Sequence, residues 1–380
     1  MTLGLALHTH AKVAGVQGVR ILKLLDENEW TRSPLSAHWR ARLTEGGWVG
    51  GLQDEITLAS PRDGQVIAPG DVIRLREGSS LVSVLWRRGA RTNSLFATER
   101  CNSLCLMCSQ PPRDEDDSWR VNEMLATIPL IDKGQPHLGV TGGEPTLLGD
   151  GLSAVLARCG EELPNTALHV LTNGRNFRDP GAARAWTGAG GERTTWAVPL
   201  YADVPDIHDE VVAAPGAFDE TLDGLYELAS VGAKVEIRVV LHKLTVPRLP
   251  QLAAFLYRRL PFVSHVALMG LEPMGLAKGN RDRLWIDPID YQQELRTAVF
   301  HLANRGMAVS IYNLPLCVLP RALWPFARQS ISEWKNNYPA ECAPCAVKDH
   351  CAGFFASAGP AWRSRAVHPL SHEDLSHEMA

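Results

Sequence analysis

The sequence predicts an α/β protein built on a parallel sheet, with a β-rich segment before it and a cysteine-rich extension after it. Three observations predict this. From Ser94 to about Ile311, short apolar runs alternate with longer helical stretches. Before Ser94, short apolar runs are broken by turn signals. Near the C-terminus, four of the eight cysteines fall close together. The expected division is a β-rich N-terminal domain at 1–92, a core at 93–312 and an extension at 313–380.

In the first segment the apolar runs are 65–67, Val72–Leu75 and Leu81–Trp86. The turn signals between them are Pro61-Arg62-Asp63-Gly64, Pro69-Gly70-Asp71 and Gly78-Ser79-Ser80. Runs bounded in this way read as strands. In the core the expected strands are 94–98, His137–Thr141, 168–172, 195–200, Lys234–Leu241, 265–269 and Val309–Tyr312. Helical stretches at 149–159, 218–230, 250–259 and 288–304 lie between them. Alternating strand and helix argues for parallel pairing with right-handed crossovers. Such sheets bind ligands at the carboxyl ends of their strands.

Composition excludes some classes. Of 380 residues, 45 % are hydrophobic and 21 % charged, which supplies a large core and excludes global disorder. The net charge of −4 gives no reason to expect a nucleic-acid partner. Arg87, Arg88 and Arg91 read as solvated surface. No run approaches the roughly 18 apolar residues of a membrane span. The start lacks the basic and apolar regions of a signal peptide. A cytoplasmic protein is therefore expected, and its thiols read as metal ligands or free thiols rather than disulfides.

Cys101, Cys105 and Cys108 stand in C-x3-C-x2-C spacing just after the first core strand. Three thiolates are one too few for a closed four-cysteine site. A cube of four irons on three cysteines leaves one iron open to an external ligand. The alternatives are a zinc site completed by a distant residue, or three unrelated thiols. This loop, placed after the first strand of a β/α region, resembles the radical S-adenosylmethionine (SAM) superfamily. The resemblance implies a partial (β/α)6 barrel, a [4Fe–4S] cluster on the three cysteines, and SAM chelated to the fourth iron. The position before the third cysteine, usually aromatic there and flanking the adenine, is Met107, which keeps an apolar contact.

Gly142-Gly143-Glu144-Pro145 follows the second strand, about 35 residues after the cysteine loop. Paired glycines permit a sharp bend and close backbone approach. The resemblance implies that Gly142, Gly143 and Glu144 meet the ammonium of the methionyl moiety. Thr172 and Asn173 end the third strand, where they either bond ribose hydroxyls or form an ordinary turn. Tyr201, after the fourth strand, is a candidate to face the adenosine or the substrate. Glu236 and Arg238 share one face of a strand. Arg238 is placed to meet the SAM carboxylate by a two-point contact, the alternative being a structural pair with Glu236.

Cys317 and the run Cys342-x2-Cys345-x5-Cys351 make a four-thiolate set able to close a metal site, with His350 as a substitute ligand. Structural zinc fits the spacing. Peptide-modifying radical enzymes carry C-terminal extensions of similar spacing, which implies a second, auxiliary iron–sulfur cluster. Cys159, in a helical stretch, reads as a buried apolar residue.

The segments 199–209 and 216–219 resemble the peptide-maturase branch of the superfamily. His208 and Asp209 there act either as a general base or as a loop anchor. Residues 105–112 and 269–277 resemble the HxsC maturases of the bacterial His-Xaa-Ser system. That resemblance implies a peptide substrate with His-Xaa-Ser repeats, a companion radical maturase and an electron donor. The competing readings are a radical enzyme of small-molecule metabolism and a zinc-stabilised binding protein without catalysis.

Overall fold

Along Lys234–Leu241, Val235, Ile237, Val239 and Leu241 are each exposed by 2 % or less, while Arg238 and Val240 lie on the other face and are half-buried. Period-two alternation thus sends the apolar set into the helical layer, where it packs with Leu252, Leu256, Leu295 and Val299. Glu236 and Arg238 face the opposite way. The computed structural model describes residues 8–53, 55–59, 67–330 and 335–376. Residues 61–66, which include an expected turn and most of the apolar run at 65–67, lie outside these.

Among the described residues the core sheet has eight strands: β9 (Ser94–Phe96), β10 (His137–Thr141), β11 (Ala167–Leu171), β12 (Thr194–Pro199), β13 (Lys234–Leu241), β14 (His265–Gly270), β15 (Val309–Tyr312) and β16 (Ala327–Arg328). They pair in sequence order and all in parallel. Each crossover therefore steps the same way, and the strand ends that bear loops 97–118, 142–149 and 172–179 point to one side. The ladder has one strand, β16, beyond the seven expected from the apolar runs. The two-residue β16 carries no apolar period that a sequence can display.

Helices Asp150–Glu162, Pro180–Gly190, Ala217–Ser230, Leu249–Arg259 and Gln292–Ala303 lie between the strands. Their boundaries follow local chemistry. Pro180–Gly190 starts where the Asp179 side chain accepts from the Ala182 amide at 2.8 Å. It ends at Gly191, whose φ of 66° a side chain would resist. This helix and Trp119–Thr127 and Pro205–Val212 carry no expectation from sequence. The strand at 94–98 stops at Phe96 because Asp117 captures the chain there, accepting from Thr98 Oγ1 at 3.0 Å and from the Glu99 amide at 2.5 Å.

The N-terminal sheet comprises β1 (His8–His10), β2 (Val13–Ala14), β3 (Val19–Leu25), β4 (Arg40–Thr44), β5 (Gly47–Gly50), β6 (Ile56–Leu58), β7 (Val72–Arg76) and β8 (Leu81–Trp86). Its order is β1-β8-β7-β3-β4-β5-β6-β2. The two ends, β1 and β2, are halves of one segment, so the ladder closes on itself. Leu22, Leu24, Trp48, Ile73, Leu75 and Val82 fill the interior. The other face of β3, β7 and β8 packs on the core: Lys23 Nζ donates to the Leu130 carbonyl at 2.8 Å, and Arg74 pairs with Glu123 at 2.5 Å.

Residues 313–376 hold short helical turns around Leu316, Val347, Cys351 and Leu370. They dock on the core through Trp362 edge-on to Trp285 at 5.5 Å and Arg365 on Asp287 at 3.2 Å.

Candidate active site

The cysteine loop leaves β9 and is held on four sides. The Gly143 amide donates to the Thr98 carbonyl at 2.7 Å, and the Glu144 amide to the Arg100 carbonyl at 2.8 Å. A Cβ on Gly143 would stand 2.0 Å from the Arg100 oxygen, and one on Gly142 2.5 Å from the Thr98 oxygen. Gly142 also has φ 145°. The paired glycines are thus required for backbone to lie on backbone where the loop begins. On a second side, Leu104 and Leu106 amides donate to Val212 and Val211 carbonyls at 3.0 and 2.9 Å, at the end of helix Pro205–Val212. On a third, Leu276 donates to the Cys108 carbonyl at 2.8 Å and Asn280 Nδ2 to the Leu106 carbonyl at 2.9 Å.

The fourth clamp is Arg175. Its Nη1 donates to the Asn102 carbonyl and, at 3.1 Å, to Ser103 Oγ; its Nε is braced by Glu220 at 2.6 Å. The neighbouring Asn173 side chain donates to Asn102 Oδ1. Sequence reasoning missed Arg175 and Glu220. The only available signal was a cation directly after Thr172-Asn173-Gly174.

Cys101, Cys105 and Cys108 are half-buried free thiols on this loop. Burial pushes Cys101 up to about 11 and Cys105 up to about 12; further upward pressure comes from Glu144 and Cys108 on Cys101, and from Cys101 and Cys108 on Cys105. Burial also raises Cys108. Thiolates this close repel one another, so the three ionise together only around added positive charge, and loading of any metal on them would release protons. Among the described residues no group of three or more His, Cys, Asp or Glu side chains is drawn in around a single ion position. Met107 is buried with Tyr201, Leu271 and Ala277 behind the loop.

Glu144 is fully buried. It accepts from the Thr146 amide at 3.0 Å, Thr146 Oγ1 at 2.6 Å, Thr172 Oγ1 at 2.7 Å and the Asn173 amide at 2.6 Å. Glu144 thus ties two strand-end turns together, with Thr172 as one of its donors. Burial nonetheless raises its affinity for a proton above the usual carboxylate level. Arg238 donates to Glu236 Oε1 at 3.2 Å and to Met269 Sδ at 3.1 Å. His208 accepts from the Tyr201 amide at 3.2 Å, and Asp209 from the Gly216 and Phe218 amides at 2.6 and 2.8 Å. Both anchor the loop, as the second of the two sequence readings has it.

In the extension, Cys317, Cys342, Cys345 and Cys351 line one small pocket with Tyr338 and His368. His350, the expected substitute, is exposed; His368, which sequence did not single out, lines the pocket. Burial and then the other three sulfurs push Cys317 up to about 11, against a hydrogen bond at His368 that lowers it. Cys159 is buried at 1 % exposure in its helix, as expected.

Residues 95–256 match the Radical SAM superfamily family model. Curated relatives include the GTP 3',8-cyclase of Sulfurimonas denitrificans, 29 % identical over 38 % of this chain and 45 % of that protein. Another is the AdoMet-dependent heme synthase of Oleidesulfovibrio alaskensis, 24 % identical over 40 % of this chain and 38 % of that protein. The chain spans 38 to 56 % of the length of the curated relatives it matches. Among solved structures it is similar to native anSMEcpe with bound AdoMet and Kp18Cys peptide: TM-score 0.47, 13 % identity, 75 % of this chain and 94 % of that one. Among the described residues no helix is long and apolar enough to cross a membrane. Residues 95–256, which carry most of the parallel α/β core and its three-cysteine loop, are thus similar to the radical SAM superfamily, a family of iron–sulfur enzymes.

Proposed function

We propose that this chain is a cytoplasmic radical SAM maturase that modifies a peptide, with a core at 93–312, an extension at 313–380 and a β-rich domain at 1–92. Cys101, Cys105 and Cys108 would hold the [4Fe–4S] cluster. The chemistry such a cluster supplies when bound is one-electron cleavage of SAM to methionine and a 5′-deoxyadenosyl radical. The chain's own part is positioning and exclusion of water. Arg238 binds the SAM carboxylate, and Met107 packs beside the adenine. The turn at Gly142, Gly143 and Glu144 borders the methionyl ammonium, while Thr172 and Asn173 shape the ribose side. Cys317, Cys342, Cys345 and Cys351 hold a second iron–sulfur cluster.

The observation that carries the peptide reading is the gathering of those four C-terminal cysteines around one pocket. Together with the HxsC-like segments, it favours a peptide with His-Xaa-Ser repeats, a companion maturase and an electron donor. A second reading, a small-metabolite enzyme with the same cofactor site, is favoured by the names of the curated relatives. Co-expression with a His-Xaa-Ser repeat peptide, followed by mass spectrometry, tests between them. A mass change that requires Cys101 supports the maturase. An unaltered peptide beside active SAM cleavage favours the metabolite reading.

A further inference from the structure

The sheet face turned away from the helices carries a polar line that the cofactor site leaves unused. Glu236 Oε2 lies 2.9 Å from His265 Nδ1, and His265 Nε2 lies 3.0 Å from Ser310 Oγ. Glu236 Oε1 is 3.2 Å from Arg238 Nη1 and 3.3 Å from His169 Nε2. The register sets Glu236 beside His265 across β13 and β14, and Ala267 beside Ser310 across β14 and β15. Four strands thus contribute to one carboxylate that is only 8 % exposed. Burial alone would raise its pKa, but the His169 and His265 contacts and the Arg238 charge outweigh burial and hold it well below the usual carboxylate range.

Arg238 is braced on one side only. Its other terminal nitrogen meets a thioether, a weak acceptor. Its side chain is 27 % exposed, so donors remain for a second anion. A guanidinium recognises a carboxylate best with two parallel hydrogen bonds, and that geometry is lost if the fork rotates.

We propose that Glu236, itself held by His265 and Ser310, is a positioning residue that sets the Arg238 fork for the carboxylate of SAM. This rests on the assignment of Arg238 made above. Arginine has a long side chain rich in rotamers, and fixing it before the ligand arrives removes part of the ordering cost of binding. His265 and Ser310 act through Glu236 and do not touch the ligand.

The test is the equilibrium dissociation constant of SAM for the reconstituted, unreduced protein, with iron content and visible absorption read on the same samples. Arg238→Ala should weaken binding about tenfold or more. Glu236→Leu, which has no acceptor, should weaken it about tenfold, while Glu236→Gln, which keeps an acceptor oxygen, should recover most of that loss. Iron content should stay unchanged throughout. Weakened binding in Arg238→Ala with normal binding in Glu236→Leu overturns the positioning role and leaves the Arg238 assignment standing. Normal binding in Arg238→Ala overturns both. Should Glu236→Leu fail to fold, Ser310→Ala and His265→Gln decide the matter. Each should weaken SAM about two- to threefold, and normal binding in both overturns the proposal.

Discussion

The Gly143 amide sits 2.7 Å from the Thr98 carbonyl, close enough that the turn after the second core strand and the start of the cysteine loop form one piece of backbone. A methyl group at Gly143 would stand 2.0 Å from the Arg100 oxygen and must push it away. Gly143→Ala should cost about 1–3 kcal/mol of stability, as overpacking does, and lower iron loading by about half or more. Gly160→Ala, in helix Asp150–Glu162, meets nothing within 4 Å; it should leave iron loading unchanged and raise stability by about 0.5–1 kcal/mol. Thermal melts and iron analysis on the two variants check this.

Replacing Cys101, Cys105 or Cys108 with Ala should abolish SAM cleavage, because a missing thiolate leaves the site short of ligands. Chromatography of 5′-deoxyadenosine after anaerobic reduction is the measurement. Undiminished product from all three variants would refute the ligand assignment.

Removing those three cysteines together isolates the second set. The resulting protein should still hold about four irons on Cys317, Cys342, Cys345 and Cys351. Zinc without iron would establish the structural alternative. Cys345→Ser in the otherwise natural chain should retain uncoupled SAM cleavage yet impair peptide modification. Circular dichroism must accompany it, since metal binding can be folding free energy for a small extension.

Acid should destabilise the core through two histidines. Burial lowers His208 to about 4 and His242 to about 3, while an unfolded chain titrates near ~6.5. Their Nδ1 atoms accept from the Tyr201 and Leu244 amides, bonds that protonation would break. Below about pH 6.5 the unfolded state therefore binds more protons than the native state. Stability is full above that pH and falls toward pH 4, by about 1.4 kcal/mol per pH unit for each histidine. Denaturant titrations at pH 7, 6 and 5 should show the slope, and His242→Gln should halve it.

What could be read from the sequence is what repeats or clusters locally. The cysteines of each set lie within a few residues of one another, apart from Cys317. The strand Lys234–Leu241 announces itself by alternation and is found with its expected limits. What could not be read depends on distance. Arg175 and Glu220 are 45 residues apart, and neither has a local pattern that marks it as a clamp. Nor does the sequence show that two threonine hydroxyls and the Thr146 and Asn173 amides all donate to Glu144. The alternatives at Arg238 stayed open for a related reason. Alternation shows that it shares a face with Glu236, but not which anion its remaining donors will meet.

The closure of the N-terminal sheet has a practical side. Residues His8–His10 seal one margin against β8, and Val13–Ala14 seal the other against β6. That single stretch works like the slider of a zip fastener. Trimming the chain past Ala14 would bare two hydrogen-bonding margins at once, each a template for another chain. A shortened protein would then self-associate through the bared edges of β6 and β8, without any change in the cysteine loop itself.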